Sequence, residues 1–131
     1  MEQQILLVDD NLSFLRSLEL MLSSRGFKAK ITDNSTKAIS IIKQNPKLIS
    51  HILIDLTIDE MMGHDVLVEI QDITEQYGIK VIFQSGTGKE TDFSKARKLG
   101  ANHCLSIPYG YKDLLLLLQQ SQTHSSIESF A

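Results

Sequence analysis

Residues 5–11 read ILLVDDN. Four apolar residues, β-branched in part, run directly into two adjacent aspartates. Such a run fits a short strand buried on both faces. The charges at its end need an explanation, because neighbouring carboxylates repel and each raises the cost of ionising the other. Either the pair lies in open water, or positive charge sits beside it. Asp10 or Asn11 also suits the N-cap of a following helix, an ordinary use of such residues.

The rest of the chain repeats this grammar. Phe14, Leu15, Leu18, Met21 and Leu22 recur at helical spacing until Gly26. FKAKI at 27–31 predicts a second strand, and 35–44 predict a helix stopped by Pro46. HILID at 51–55 is a third apolar strand that again ends in an aspartate. A helix over 65–77 carries Val66, Leu67, Ile70 and Ile73 on one stripe and closes at Gly78. Residues 79–84 form a fourth strand. Thr91-Asp92 caps a short helix through Leu99, and 102–107 form a weaker fifth strand. YKDLLLLLQQ at 111–120 is the last helix. Five strands alternating with five helices predict an α/β fold. Its doubly wound parallel sheet would have flavodoxin-like (βα)5 connectivity and strand order 2-1-3-4-5. The domain spans 1–121, and the Ser-, Gln- and Thr-rich 122–131 read as a flexible tail.

Composition excludes several classes. The 131 residues fit one domain with one core, and 42% hydrophobic content argues against wholesale disorder. A net charge of −3 with mixed signs offers no basic stripe for nucleic acid and no polybasic run for a membrane surface. The single Cys104 excludes an internal disulfide and fits a reducing cytoplasm. The N-terminus lacks the basic region of a signal peptide, and no apolar run approaches the roughly 20 residues of a membrane span.

In such sheets ligands bind at the carboxyl ends of the strands. Collected there are Asp9 and Asp10, Asp55, Ser85 with Gly86, and Ile107 with Pro108. Three aspartates with no nearby Cys or His suit Mg²⁺, which would relieve the repulsion between them. A hydroxyl at Ser85 is placed to contact an anion beside the metal, and Gly86 leaves room for it. Carboxylate, Mg²⁺ and hydroxyl together suit phosphoryl transfer. Competing motifs fail. SGTGKET at 85–91 has Phe83 where a P-loop needs glycine and Glu90 where it needs Ser or Thr. An aspartate-nucleophile phosphatase needs D-x-D spacing, which adjacent Asp9 and Asp10 do not supply. His51, His64, His103 and His124 show no ligand spacing.

VDDN after the first strand, IDLTIDEMMG around Asp55, QSG at 84–86 and SIPYG at 106–110 resemble the response-regulator receiver domain of two-component signalling. The resemblance runs from about Gln4 to about Gln120. It implies a signalling module rather than an enzyme. Asp55 would accept a phosphoryl group from a sensor histidine kinase or a histidine phosphotransfer protein. Asp10, Asp55 and the backbone carbonyl of Thr57 would bind Mg²⁺, with Asp9 helping through water. Ser85, with Gly86, would contact the phosphoryl group, and Thr57 and Thr87 would tune its lifetime. Three positions depart from the family. Ile107 replaces a lysine before the proline. Ile58-Asp59, followed by Glu60, replaces a Met-Pro pair. Cys104 stands at the aromatic switch position. The pocket is therefore more negative than usual, and Lys89 or Lys112 is a candidate substitute cation. Two readings follow, retained phosphorylation or a phosphorylation-independent interaction module. The intact metal and hydroxyl positions favour the first. In the run 114–118, Tyr111, Leu114, Leu115 and Leu118 are expected inward, with Leu116 and Leu117 outward as a dimer or partner surface.

Overall fold

A computed structural model of the chain describes residues 3–58 and 61–119. The elements are β1 (Gln4–Val8), α1 (Leu12–Ser24), β2 (Ala29–Thr32), α2 (Ser35–Gln44) and β3 (Ile49–Asp55). A small pair, β4 (Thr57–Ile58) and β5 (Met61–Met62), comes next. Then follow α3 (Gly63–Tyr77), β6 (Lys80–Ser85), α4 (Glu90–Lys98), β7 (His103–Ser106) and α5 (residues 111–119). Five strands form one parallel sheet in the order β2-β1-β3-β6-β7, the expected arrangement.

Alternation along the central strands builds two cores. Leu6, Val8, Ile52, Ile54, Val81 and Phe83 face one layer, packed with Ile42 of α2, Leu67 and Ile70 of α3 and Phe93 of α4. Ile5, Leu7, Leu53 and Ile82 face the other, under Leu15, Leu18 and Leu22 of α1 and Leu114 and Leu118 of α5. Burial on both faces explains why β1 and β3 read as continuous apolar runs. Asn11 and Asn34 cap α1 and α2 by accepting from the Phe14 and Lys37 amides at 3.1 and 2.9 Å. Gly78 ends α3 in the left-handed region at φ 66°.

Three expectations are corrected. The β4–β5 hairpin pairs Thr57 with Met62 and Ile58 with Met61, too short a ladder to leave a sequence pattern. Helix α4 starts at Glu90 rather than at a Thr91-Asp92 cap, and its N-cap Lys89 makes no side-chain cap bond. On α5, Tyr111 is exposed, while Leu117 is half-buried and packs against the second core. Leu114 and Leu118 are buried and Leu116 is 45% exposed, as the helical spacing predicts. The segment 122–131, with His124, and the departed position Asp59 fall outside the described residues.

Candidate functional site

The sheet register assembles the acidic site. Val8 pairs with Ile54, so the next residues, Asp9 and Asp55, leave their strands side by side. Ligand oxygens of Asp9, Asp10 and Asp55 all lie within 4.8 Å of one another. The two adjacent aspartates occupy different surroundings: Asp9 is buried and Asp10 is exposed. Burial, then the neighbouring Asp9 charge, pushes the Asp55 carboxyl up to about 7, against backbone amides of Thr57 and Leu56 that favour the charged form. Asp9 is raised as well, mainly by burial. Among the described residues the ion pairs are Lys43–Glu69 and Arg97–Glu90, so no protein cation pairs with these carboxylates. Oxygen donors at this spacing, raised by burial and mutual repulsion, fit a hard divalent cation.

The other candidate residues lie at or just beyond the carboxyl ends of the strands. Ser85 is fully buried at the end of β6. Its hydroxyl lies 2.9 Å from Thr87 Oγ1 and accepts from the Thr87 amide at 3.2 Å. The Thr87 hydroxyl in turn donates to Asp92 Oδ2 at 3.2 Å. Gly86 and Thr57 are exposed. Ile107 is half-buried and donates its amide to the Ser85 carbonyl at 2.9 Å, so this position supplies backbone pairing and no charge. Cys104 is half-buried, and burial raises its thiol, which leaves it less reactive. Lys89 and Lys112 are exposed, and neither forms an ion pair with the acidic cluster.

A match to the family model described as "Response regulator receiver domain" covers residues 5–119. The chain belongs to the response regulator receiver family. Its receiver is 31% identical over 119 residues to the acid tolerance regulatory protein ActR of Rhizobium meliloti, covering 91% of this chain and 59% of ActR. It spans only about a quarter to three fifths of the length of such curated relatives. A CheY-like receiver domain protein from Methanospirillum hungatei superposes with TM-score 0.85 at 21% identity, covering 98% of this chain and 99% of that one. A Burkholderia pseudomallei response regulator, solved with a phosphorylated aspartic acid, calcium and citrate, superposes with TM-score 0.80 at 21% identity. The match covers 98% of this receiver and 73% of that chain. Receiver domains are modules of two-component signalling and bind Mg²⁺ at an acidic pocket; this receiver has such a cluster. Among its described residues, no helix is long and apolar enough to cross a membrane.

Sequence reasoning did not single out Gln84, Tyr109 or His64. Gln84 is fully buried, donates from Nε2 to Asp9 Oδ2 at 3.1 Å, and accepts from the Tyr109 hydroxyl at 2.7 Å. His64 is buried, stacks on Phe83 with centroids 5.0 Å apart, and places Nε2 3.0 Å from the Asp92 carbonyl. An amide at the end of an otherwise apolar strand was the available signal for Gln84.

Proposed function

We propose that this receiver accepts a phosphoryl group on Asp55 and signals through protein contact. The convergence of Asp9, Asp10 and Asp55 at the strand ends carries this reading. Asp10, Asp55 and the Thr57 carbonyl are the residues that would hold Mg²⁺, with Asp9 supporting them. Mg²⁺, when bound, supplies positive charge that offsets the carboxylates and the incoming phosphoryl oxygens. An Asp55 carboxylate oxygen forms the new P–O bond while the donor's P–N bond breaks, its electron pair and a proton remaining with the donor histidine. With a small acyl phosphate, the leaving group is the carboxylate. Ser85 then donates its hydroxyl to a phosphoryl oxygen, beside Gly86, which bears no side chain. Thr57 and Thr87 would influence water access to the acyl phosphate. The phosphodonor is a sensor histidine kinase or a histidine phosphotransfer protein, and the setting is the cytoplasm.

A second reading, a phosphorylation-independent interaction module, draws support from Ile107, an uncharged residue before Pro108, and from the lack of any ion pair to the acidic cluster among the described residues. Intact-mass analysis with Mg²⁺ and acetyl phosphate separates the two. Wild type should gain one phosphoryl mass, and Asp55→Asn should not. Labelling of Ile107→Lys alone would establish the second reading instead.

A further inference from the structure

The contacts of Asp9 form a short relay that ends outside the acidic cluster. Its Oδ1 accepts from the Asn11 amide at 2.9 Å, and its Oδ2 accepts from Gln84 Nε2 at 3.1 Å. Gln84 Oε1 accepts from the Tyr109 hydroxyl at 2.7 Å. The chemistry fixes the direction of this relay. An ionised carboxylate only accepts, so toward the charged Asp9 that a cation requires, Gln84 presents its NH₂. Its carbonyl then faces Tyr109, whose hydroxyl must donate. Gln84 is also level with Asp55 in the β3–β6 register, and its side chain reaches past β3 to Asp9 at the end of β1.

We propose that Gln84, locked by Tyr109, is a positioning residue for the cation site. A neutral amide holds the buried Asp9 in the orientation that a divalent ion needs. This rests on the reading of the aspartates as a Mg²⁺ site. Carboxylates at metal sites are held by outer partners, and losing one commonly costs about 10- to 100-fold in metal affinity. Each Asp9 oxygen takes one donor and keeps further capacity to accept. The relay also connects the cluster to Tyr109, the residue that leads from the Ile107–Pro108 bond into α5.

The test is an NMR titration of the whole chain with MgCl₂, following backbone amides and the Gln84 side-chain NH₂ resonance. Wild type should bind, with the Gln84 NH₂ signal shifting. Gln84→Met, close in volume, should bind Mg²⁺ about tenfold more weakly. Tyr109→Phe should bind roughly three- to tenfold more weakly. The double variant should be no weaker than Gln84→Met alone, because both act through one chain of bonds. Val81→Ala serves as a control for lost packing, since Val81 is buried in the opposite core. Affinity unchanged in Gln84→Met, losses that multiply in the double variant, or an equal loss in Val81→Ala would overturn the proposal. If Gln84→Met does not fold, Tyr109→Phe decides alone, and wild-type affinity there overturns it. Absence of binding in wild type would instead remove the Mg²⁺ reading beneath it.

Discussion

Gly63 lies with its backbone directly against the carbonyl of Asp55. A Cβ built on Gly63 would collide with that carbonyl oxygen and come within 3.1 Å of Leu56 Cα. The Gly63 amide donates to the Leu56 carbonyl at 2.6 Å, which closes the loop after β3. Since backbone atoms are struck, no side-chain movement relieves the clash. Gly63→Ala should cost about 1–3 kcal/mol of stability and weaken Mg²⁺ binding together. Urea unfolding and the MgCl₂ titration check both effects, and an unchanged midpoint would contradict the packing described.

The Asp55 carboxyl sets a pH dependence whose sign is fixed. Its pKa in the folded protein is raised to about 7, from near 4 in an unfolded chain. The folded state therefore holds a proton that the unfolded state has lost, and this contribution to stability disappears as pH rises from about 4 through about 7. Metal-free protein should lose stability along that limb, and Mg²⁺ should restore it increasingly above it. Asp55→Asn should be more stable than wild type at about pH 8 without metal and should gain little from Mg²⁺. Thermal melts at several pH values, with and without MgCl₂, measure this.

His51 acts in the opposite direction. It is buried, its Nδ1 lies 2.9 Å from Ser50 Oγ, and among the described residues its Nε2 has no partner. Burial, then the charges of His103 and Lys80, lowers its pKa to about 4. A base with a depressed pKa gives stability above its unfolded value of about 6.5 that is lost as pH falls toward about 4. His51→Leu should shift the acid-unfolding midpoint to lower pH while leaving neutral stability within about 1 kcal/mol. In wild type the two groups partly cancel between about pH 4 and 6.5, so only the single variants expose each limb.

The leucines of α5 separate by burial. Leu116 is 45% exposed, and Leu116→Glu should change stability by no more than about 0.5 kcal/mol. Leu117 packs against the second core, and Leu117→Glu should destabilise by about 1–3 kcal/mol. Sedimentation of Leu116→Glu then tests self-association through this face without a folding defect, and an unchanged profile would exclude Leu116 from such a surface.

The fold was legible because β1, β3 and β6 are buried on both faces and the helices carry single apolar stripes. The order of the five parallel strands followed from their alternation with helices. The acidic cluster was legible too, since strand-end positions converge by topology and not by side-chain detail. What escaped was set by tertiary contact. Helical spacing put Leu116 and Leu117 on the same outward face, and only the packing of α5 separates the exposed Leu116 from the half-buried Leu117. Gln84 and Tyr109 lie 25 residues apart, and nothing local in either segment announces their bond. The cap at Thr91-Asp92 failed for a related reason: the Asp92 carboxylate is engaged by the Thr87 hydroxyl across the preceding loop.

That hydroxyl chain has a dynamic consequence. Ser85 Oγ is not idle in this conformation, because it is shared with the Thr87 hydroxyl and amide. Any ligand that draws Ser85 toward the aspartates must compete with those local bonds, and the Thr87–Asp92 link to the first turn of α4 loosens when they break. The end of β6 is thus tied to the first turn of α4 through Thr87, by three hydrogen bonds of 2.9, 3.2 and 3.2 Å, the first two of which any inward movement of Ser85 would have to break.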